Sequence, residues 1–338
     1  IFARNLNKTN IDNKKQIMVS RNLIRIKVMQ ALYMHTISGK ERKADVEKSL
    51  VRAFSDMYDL FLLLMSIFEA LTFTAEQIID VKKQKYLPTE KDLKPNLKFI
   101  ENRFIQKIAQ NTDLQEKMRQ RNLSWHNDVN LLFVRKVYDQ LSNQPLFVAY
   151  MQTETDNFTQ DKQFVLDVIK DFMLDNELLM QYFGEQHLNW VHDYNYVVIL
   201  LYSTLKTWTE KQKDDKVLPP LFKLNQEGES EDKQFLVDLY NQTIAHEKEY
   251  ETLIAEKIQN WEQDRIATID FILLKMALCE FCNFPTIPLR VTLNEYIEIS
   301  KYYSTPKSRM FINGLLDKIL LDLKNNDKIH KQGRGLMG

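Results

Sequence analysis

Apolar positions recur every three or four residues along most of this chain, in long stretches that hold neither glycine nor proline. That spacing predicts helices throughout. The first strong one, "RNLIRIKVMQALYMHTIS" from Arg21 onward, has Leu23, Ile24, Ile26, Val28, Met29, Ala31, Leu32, Tyr33 and Met34 on nearly every side. A helix apolar all round belongs in the middle of a fold. Its first two turns carry Arg21, Arg25 and Lys27, with no acid before Glu41. Cations oppose the macrodipole at a helix start, where an anion is favoured. Either water covers these cations or a partner supplies the missing anion. Further on, "LFLLLMSIF" at 60–68 is shorter than the roughly 18–20 residues of a membrane span and reads as a buried helix. Near the end, Thr292 with Glu295 reads as a capping box opening a helix at Leu293, and Thr305 with Pro306 opens the next. Gly314 falls inside that last helix. There it costs roughly 1 kcal/mol against alanine, which is tolerable where another helix packs on its bare backbone.

Three stretches interrupt the periodicity and read as connectors: "YLPTEKDLKPN" (86–96), "LSNQPLF" (141–147) and "KDDKVLPPLFKLNQEGESEDK" (213–233). Among them runs a frame. Leu114, Leu179 and Tyr250 each precede a tryptophan by eleven residues, namely Trp125, Trp190 and Trp261, and Asp128, Asp193 and Asp264 follow three residues later. The frame predicts a helix, a break plugged by the tryptophan, and an acid in the first turn of the next helix. It suggests a helix pair duplicated and diverged.

Composition changes this picture in two ways. Seven glycines and eight prolines in 338 residues reinforce an all-α class. The zero net charge conceals segregation: residues 1–52 hold twelve Lys and Arg against four Asp and Glu, residues 301–338 eight against three, and the middle is acidic. Two basic ends brought together would give a nucleic-acid face on an otherwise neutral protein.

Catalytic and metal signals are poor. Cys279 and Cys282 form a single CxxC inside an apolar helical pattern, without the further ligands zinc needs, and read as reduced thiols of a cytoplasmic protein. "STPK" (304–307) lacks the companion motifs of a serine acyl-transfer site, and His187 and His192 do not share a helix face. Neither a cofactor, a metal site nor an enzyme is expected.

The stretch "VTLNEYIEISKYYSTPKSRMFINGLLDKIL" (291–320) carries a family pattern: Val291-Thr-Leu-Asn294-Glu295, then Glu298-Ile-Ser-Lys301, then Phe311-Ile-Asn313-Gly314-Leu-Leu-Asp317. It closely resembles the C-terminal half of the transcription antitermination factors of the NusB family. "DFILLKMALCEF" (270–281) is similar to the family's "LRIALYEL" helix, and "RNLIRIKVMQALY" to its arginine-bearing first helix. The resemblance covers about 18–75 and 232–323. It leaves about 81–231 as an insertion and shows fewer arginines than usual in the first helix.

The resemblance implies all-α, NusB-like helical bundles carrying an inserted helical region. The expected division is a flexible basic segment 1–17, N-terminal family helices 18–80, the insertion 81–231, C-terminal family helices 232–325 and a flexible basic tail 326–338. It further implies an RNA-binding antitermination factor of ribosomal RNA operons. Such a factor would bind boxA-type RNA with the ribosomal small-subunit protein NusE, within an RNA polymerase antitermination complex and with no membrane. Carried over by position, the RNA contacts are Arg21, Arg25, Lys27, Lys275, Lys307, Arg309 and Phe311, and the partner contacts Tyr33 and Glu280. Phosphates would then supply the anion missing at the first helix. The competing expectation is a non-catalytic helical scaffold, or an RNA-binding subunit linked to ribosomal RNA modification.

Overall fold

Every regular element in the computed structural model, which describes residues 19–38, 43–154, 157–187, 189–225, 227–258, 267–305 and 307–336, is a helix. In chain order these are α1 (Arg21–Ser38), α2 (Lys43–Lys83), α3 (Glu90–Leu93), α4 (Arg103–Ala109), α5 (Thr112–Gln120), α6 (Asp128–Ser142) and α7 (Pro145–Gln152). There follow α8 (Phe158–Asp167), continued by a π-helical turn (Val168–Met173), then α9 (Glu177–Gln186) and α10 (Trp190–Lys206). The last five α-helices are α11 (Glu231–Ala245), α12 (Glu247–Ile258), α13 (Thr268–Asn283), α14 (Leu289–Tyr303) and α15 (Ser308–Asn325), followed by a 3-10 turn at Gly333–Leu336. Two units emerge, one of Ala53–Leu221 and one that joins Val19–Arg52 to Phe222–Gly338. The divisions fall at 52/53, inside the continuous helix α2, and at 221/222, rather than at the expected 80/81 and 231/232. Residues 1–17 lie outside the described residues.

Within Ala53–Leu221, asparagine punctuates the chain. Asn102, Asn111, Asn127, Asn157 and Asn176 each precede a helix and accept a hydrogen bond from the N–H three residues on. This satisfies donors that a helix start otherwise leaves orphaned. The apolar run of α2 is inside the unit, with Leu60, Phe61, Leu62, Leu64 and Met65 fully buried. The helix as a whole is long and apolar enough to cross a membrane, which the run at 60–68 alone had not suggested, but most of its apolar window is buried. Trp125 and Trp190 are buried as expected. Trp125 Nε1 donates to Ser66 Oγ at 3.1 Å and Trp190 Nε1 to the Asp56 carbonyl at 2.7 Å.

The duplication expected from the tryptophan frame is not confirmed. Asp128 and Asp193 both fall in the first turn of a helix as the frame predicts, but Trp125 lies in the break before α6, whereas Trp190 is itself the first residue of α10. Trp261 and Asp264 lie outside the described residues.

In the second unit α13 is the hub, touching α1, α11, α12, α14 and α15. The all-round apolar α1 is central as its pattern requires: Leu23, Ile24, Ile26, Val28, Met29 and Leu32 are buried, and the helix packs on α11 and α13. Three local readings are corrected. α14 begins at Leu289 behind Pro288, so Thr292 is an interior, buried residue whose hydroxyl serves Glu280 instead of a cap. Gly314 is exposed, with nothing within 4 Å of where a Cβ would stand, so no helix packs on it. The stretch after α15, expected as a flexible tail, folds back. Asp327 turns left-handed (φ 52°), returning the Lys328 N–H to the Leu323 carbonyl (2.9 Å). Lys331 Nζ then donates to the Glu280 and Phe284 carbonyls (both 2.9 Å), and the Gln332 N–H to the Pro285 carbonyl (3.0 Å). Helix ends leave such carbonyls unsatisfied, and the tail completes them.

Candidate nucleic-acid interface

The anion missing from the start of α1 is supplied from far along the same chain. Arg25 is 2% exposed, with Nε 2.7 Å from Glu280 Oε1 and Nη2 3.0 Å from Glu280 Oε2. Its Nη1 also reaches Glu295 Oε2 at 3.3 Å. Glu280 is fully buried and accepts two further hydrogen bonds, from Tyr296 Oη (2.7 Å) and Thr292 Oγ1 (3.1 Å). Each carboxylate oxygen therefore has two donors, and the guanidinium fork is filled bidentately. Burial opposes the charge on Arg25, but the Glu280 carboxylate outweighs it, so the guanidinium is held protonated more firmly than usual. Burial, then the same carboxylate, pushes the Tyr296 phenol well above its ordinary range.

Two expectations change here. Arg25 does not face an RNA phosphate and Glu280 does not face a protein partner, because they neutralise each other out of solvent. Two more expected RNA contacts are buried as well. Lys275 is buried on α13, with Nζ 2.5 Å from Glu247 Oε1 and 3.2 Å from Glu251 Oε1. Lys27 is buried on α1, 5% exposed.

The remaining residues reach solvent. Arg21 is half-exposed, its Nε 3.3 Å from Asp232 Oδ1, its Nη2 3.7 Å from Glu231 Oε2, and its guanidinium 5.1 Å from the Phe235 ring centre. Lys307 and Arg309 are exposed at the start of α15, and Phe311 is half-buried one turn in. Tyr33 is half-buried late in α1, with Met34 and Ile37 exposed beside it.

Beside Arg21 opens a recess of about 500 Å³, lined by Ser20, Asn22, Ile287, Pro288, Val291 and Glu295 among others. The starts of two helices meet there. Ser20 Oγ accepts from the Leu23 N–H at the head of α1, while α14 begins behind Pro288 with no side-chain cap. An uncapped helix start presents N–H groups and partial positive charge to whatever enters. Apolar Ile287, Pro288 and Val291 give the recess a face for a flat ring, and Asn22 and Glu295, joined at 2.8 Å, give it polar edges.

Sequence reasoning missed the acids of this site. Glu231 and Asp232 follow the N-cap Ser230 in α11, at the end of the stretch 213–233 whose composition suggests only a charged connector. The Ser-Glu-Asp start was the available signal.

The NusB family model matches residues 196–321. The transcription antitermination protein NusB of Salinibacter ruber is 39% identical over 124 residues, which span 37% of this chain and 78% of that protein. The chain belongs to the NusB family. A second relative named transcription antitermination protein NusB, from Chloroherpeton thalassium, is 37% identical over 127 residues, 38% of this chain and 60% of the relative. A third NusB, from Koribacter versatilis, is 30% identical over 137 residues, 36% and 94% respectively. No solved structure matches. The match takes in nearly all of the C-terminal resemblance, and it leaves 18–75 outside. In this NusB-family chain α1 is tied to the matched region by packing and by the Arg25–Glu280 pair.

Proposed function

We propose that the chain is a non-catalytic, RNA-binding transcription antitermination factor that binds boxA-type RNA of ribosomal RNA operons. In this reading it acts with the ribosomal small-subunit protein NusE in an RNA polymerase antitermination complex. The RNA-facing residues are Arg21, Lys307, Arg309 and Phe311, and Tyr33 faces the protein partner.

The observation that carries the reading is the recess where Arg21 and two helix starts converge, within a NusB-family chain. A phosphate at that mouth would meet Arg21 and the N–H groups of α14, while an unpaired base would lie on Ile287 and Pro288. Binding requires Arg21 to exchange Asp232 and Glu231 for a phosphate. Such half-exposed pairs are worth about 1 kcal/mol or less, so the exchange is inexpensive.

The test is boxA RNA binding, with and without NusE, by Arg21→Gln and by Lys307→Gln/Arg309→Gln. Each lost phosphate contact lowers the slope of log K against log salt by about 0.7 on single-stranded RNA. Unchanged affinity and slope in both variants would reject this face.

A further inference from the structure

Within Ala53–Leu221, three lysines crowd the end of α10 with no acid among them. Lys162 Nζ donates to the carbonyls of Lys206 and Trp208, at 2.7 Å each. Lys216 Nζ donates to Thr207 Oγ1 (3.4 Å) and Gln212 Oε1 (2.8 Å) and sits 5.4 Å from the Trp208 ring centre. Lys206 Nζ lies 5.9 Å from the Tyr202 ring centre. Among the described residues, none of the three pairs with a carboxylate. Lys107, which reaches the same loop from α4, behaves in the ordinary way: it holds the Glu210 and Gln212 carbonyls and also pairs with Asp214 at 3.8 Å.

Carbonyls at a helix end attract cations, but the dipole there amounts to only about half a charge. Three ammoniums exceed it. Lys162 and Lys216 are half-buried, and burial together with a neighbouring lysine (Lys206 for the first, Lys162 for the second) pushes both below the ordinary lysine range. Each ammonium has three N–H donors. Lys162 and Lys216 use two apiece, which leaves one on each for an incoming anion. The patch is an open surface and its charge is spread over several side chains. The half-exposed Tyr202 ring beside Lys206 adds a face on which a base can stack.

We propose that Lys162, Lys206 and Lys216 form a second binding patch, for the phosphodiester backbone of single-stranded RNA without regard to base sequence. Only the identity of the occupant rests on the RNA reading above. The site itself rests on the unneutralised cluster, in a part of the chain remote in sequence from Arg21 and Arg309.

The experiment uses the full chain, a labelled uridine homopolymer and a salt titration. Lys162→Gln/Lys216→Gln keeps hydrogen-bond donors to the carbonyls and removes two charges. Its salt slope falls by about 1.4, two contacts at 0.7 each. Lys162→Arg/Lys216→Arg keeps the wild-type slope. A wild-type slope in the glutamine variant overturns the patch, and an equal loss in the arginine variant overturns the charge argument in favour of a structural one. Inorganic phosphate at matched ionic strength provides the other arm: if it displaces the homopolymer from wild type down to the level of the glutamine variant, the patch serves a small anion and the RNA assignment falls. Failure of the boxA reading would appear separately, as indifference of boxA binding to Arg21→Gln.

Discussion

Arg25 and Glu280 stand 255 positions apart in the chain and meet through two hydrogen bonds, with neither side chain reaching solvent. Removing one partner leaves the other charge buried and alone, which costs about 3–5 kcal/mol. Glu280→Gln and Arg25→Met should each destabilise the protein on that scale in urea unfolding. The double substitution Arg25→Met/Glu280→Leu should recover only part of the loss, because it removes the lone charge but takes the acceptor from the buried Tyr296 and Thr292 hydroxyls. If Glu280→Gln unfolds like wild type and loses only partner binding, the carboxylate is a recognition group after all.

Trp125→Ala and Trp190→Ala each remove a buried indole and the hydrogen bond to Ser66 or to the Asp56 carbonyl. A cost of about 3–5 kcal/mol is expected for either. Hydrogen exchange should show the loss as faster opening of α6 and α10 before α13 responds. Uniform acceleration in all helices would mean that the chain opens as one cooperative block.

Burial lowers the pKa of Lys331 to about 8, against an ordinary lysine value near 10.4, despite the opposing pull of Glu280 and Cys282. Between those values the unfolded chain binds more protons than the folded one, so stability from this group rises with pH. The difference in urea midpoint between wild type and Lys331→Gln should be flat below pH 7 and shift in favour of wild type from pH 8 to 10. Gly335→Ala should release the same tail, since a Cβ there would overlap the Pro285 carbonyl oxygen. A midpoint difference that does not change with pH would mean that Lys331 titrates as it does in water.

Gly314→Ala should raise stability by about 0.5–1 kcal/mol, since the new methyl meets nothing and the helix interior loses its most flexible residue. Thermal melting decides it. A lower melting temperature would reveal a close approach that the described contacts do not contain.

The sequence made the helical class and the burial of α1 legible, because periodicity reports directly on which faces avoid water. The family pattern at 291–320 pointed to the right relatives. The chemistry of Arg25 was not legible. A cation-rich helix start looks the same whether its counter-charge comes from a ligand or from a glutamate 255 residues away. Glu280 itself was hidden inside an apolar run, where a lone acid signals either a partner or a buried pair. Thr292 misled for a related reason: Thr-x-x-Glu spacing fits a cap, yet Pro288 had already started the helix and freed Thr292 for Glu280.

The seating of α1 against helices made some two hundred residues later also sets a timetable for synthesis. This apolar helix leaves the ribosome early, yet α11 and α13 do not exist for roughly 10–40 s at ordinary elongation rates. Ala53–Leu221 is being made for most of that interval and is complete before α11 and α13 are. During it α1 is an exposed greasy segment with two arginines and no counter-charge. Release after Leu221 but before α13 is made would leave Ala53–Leu221 complete and α1 without the helix that buries it.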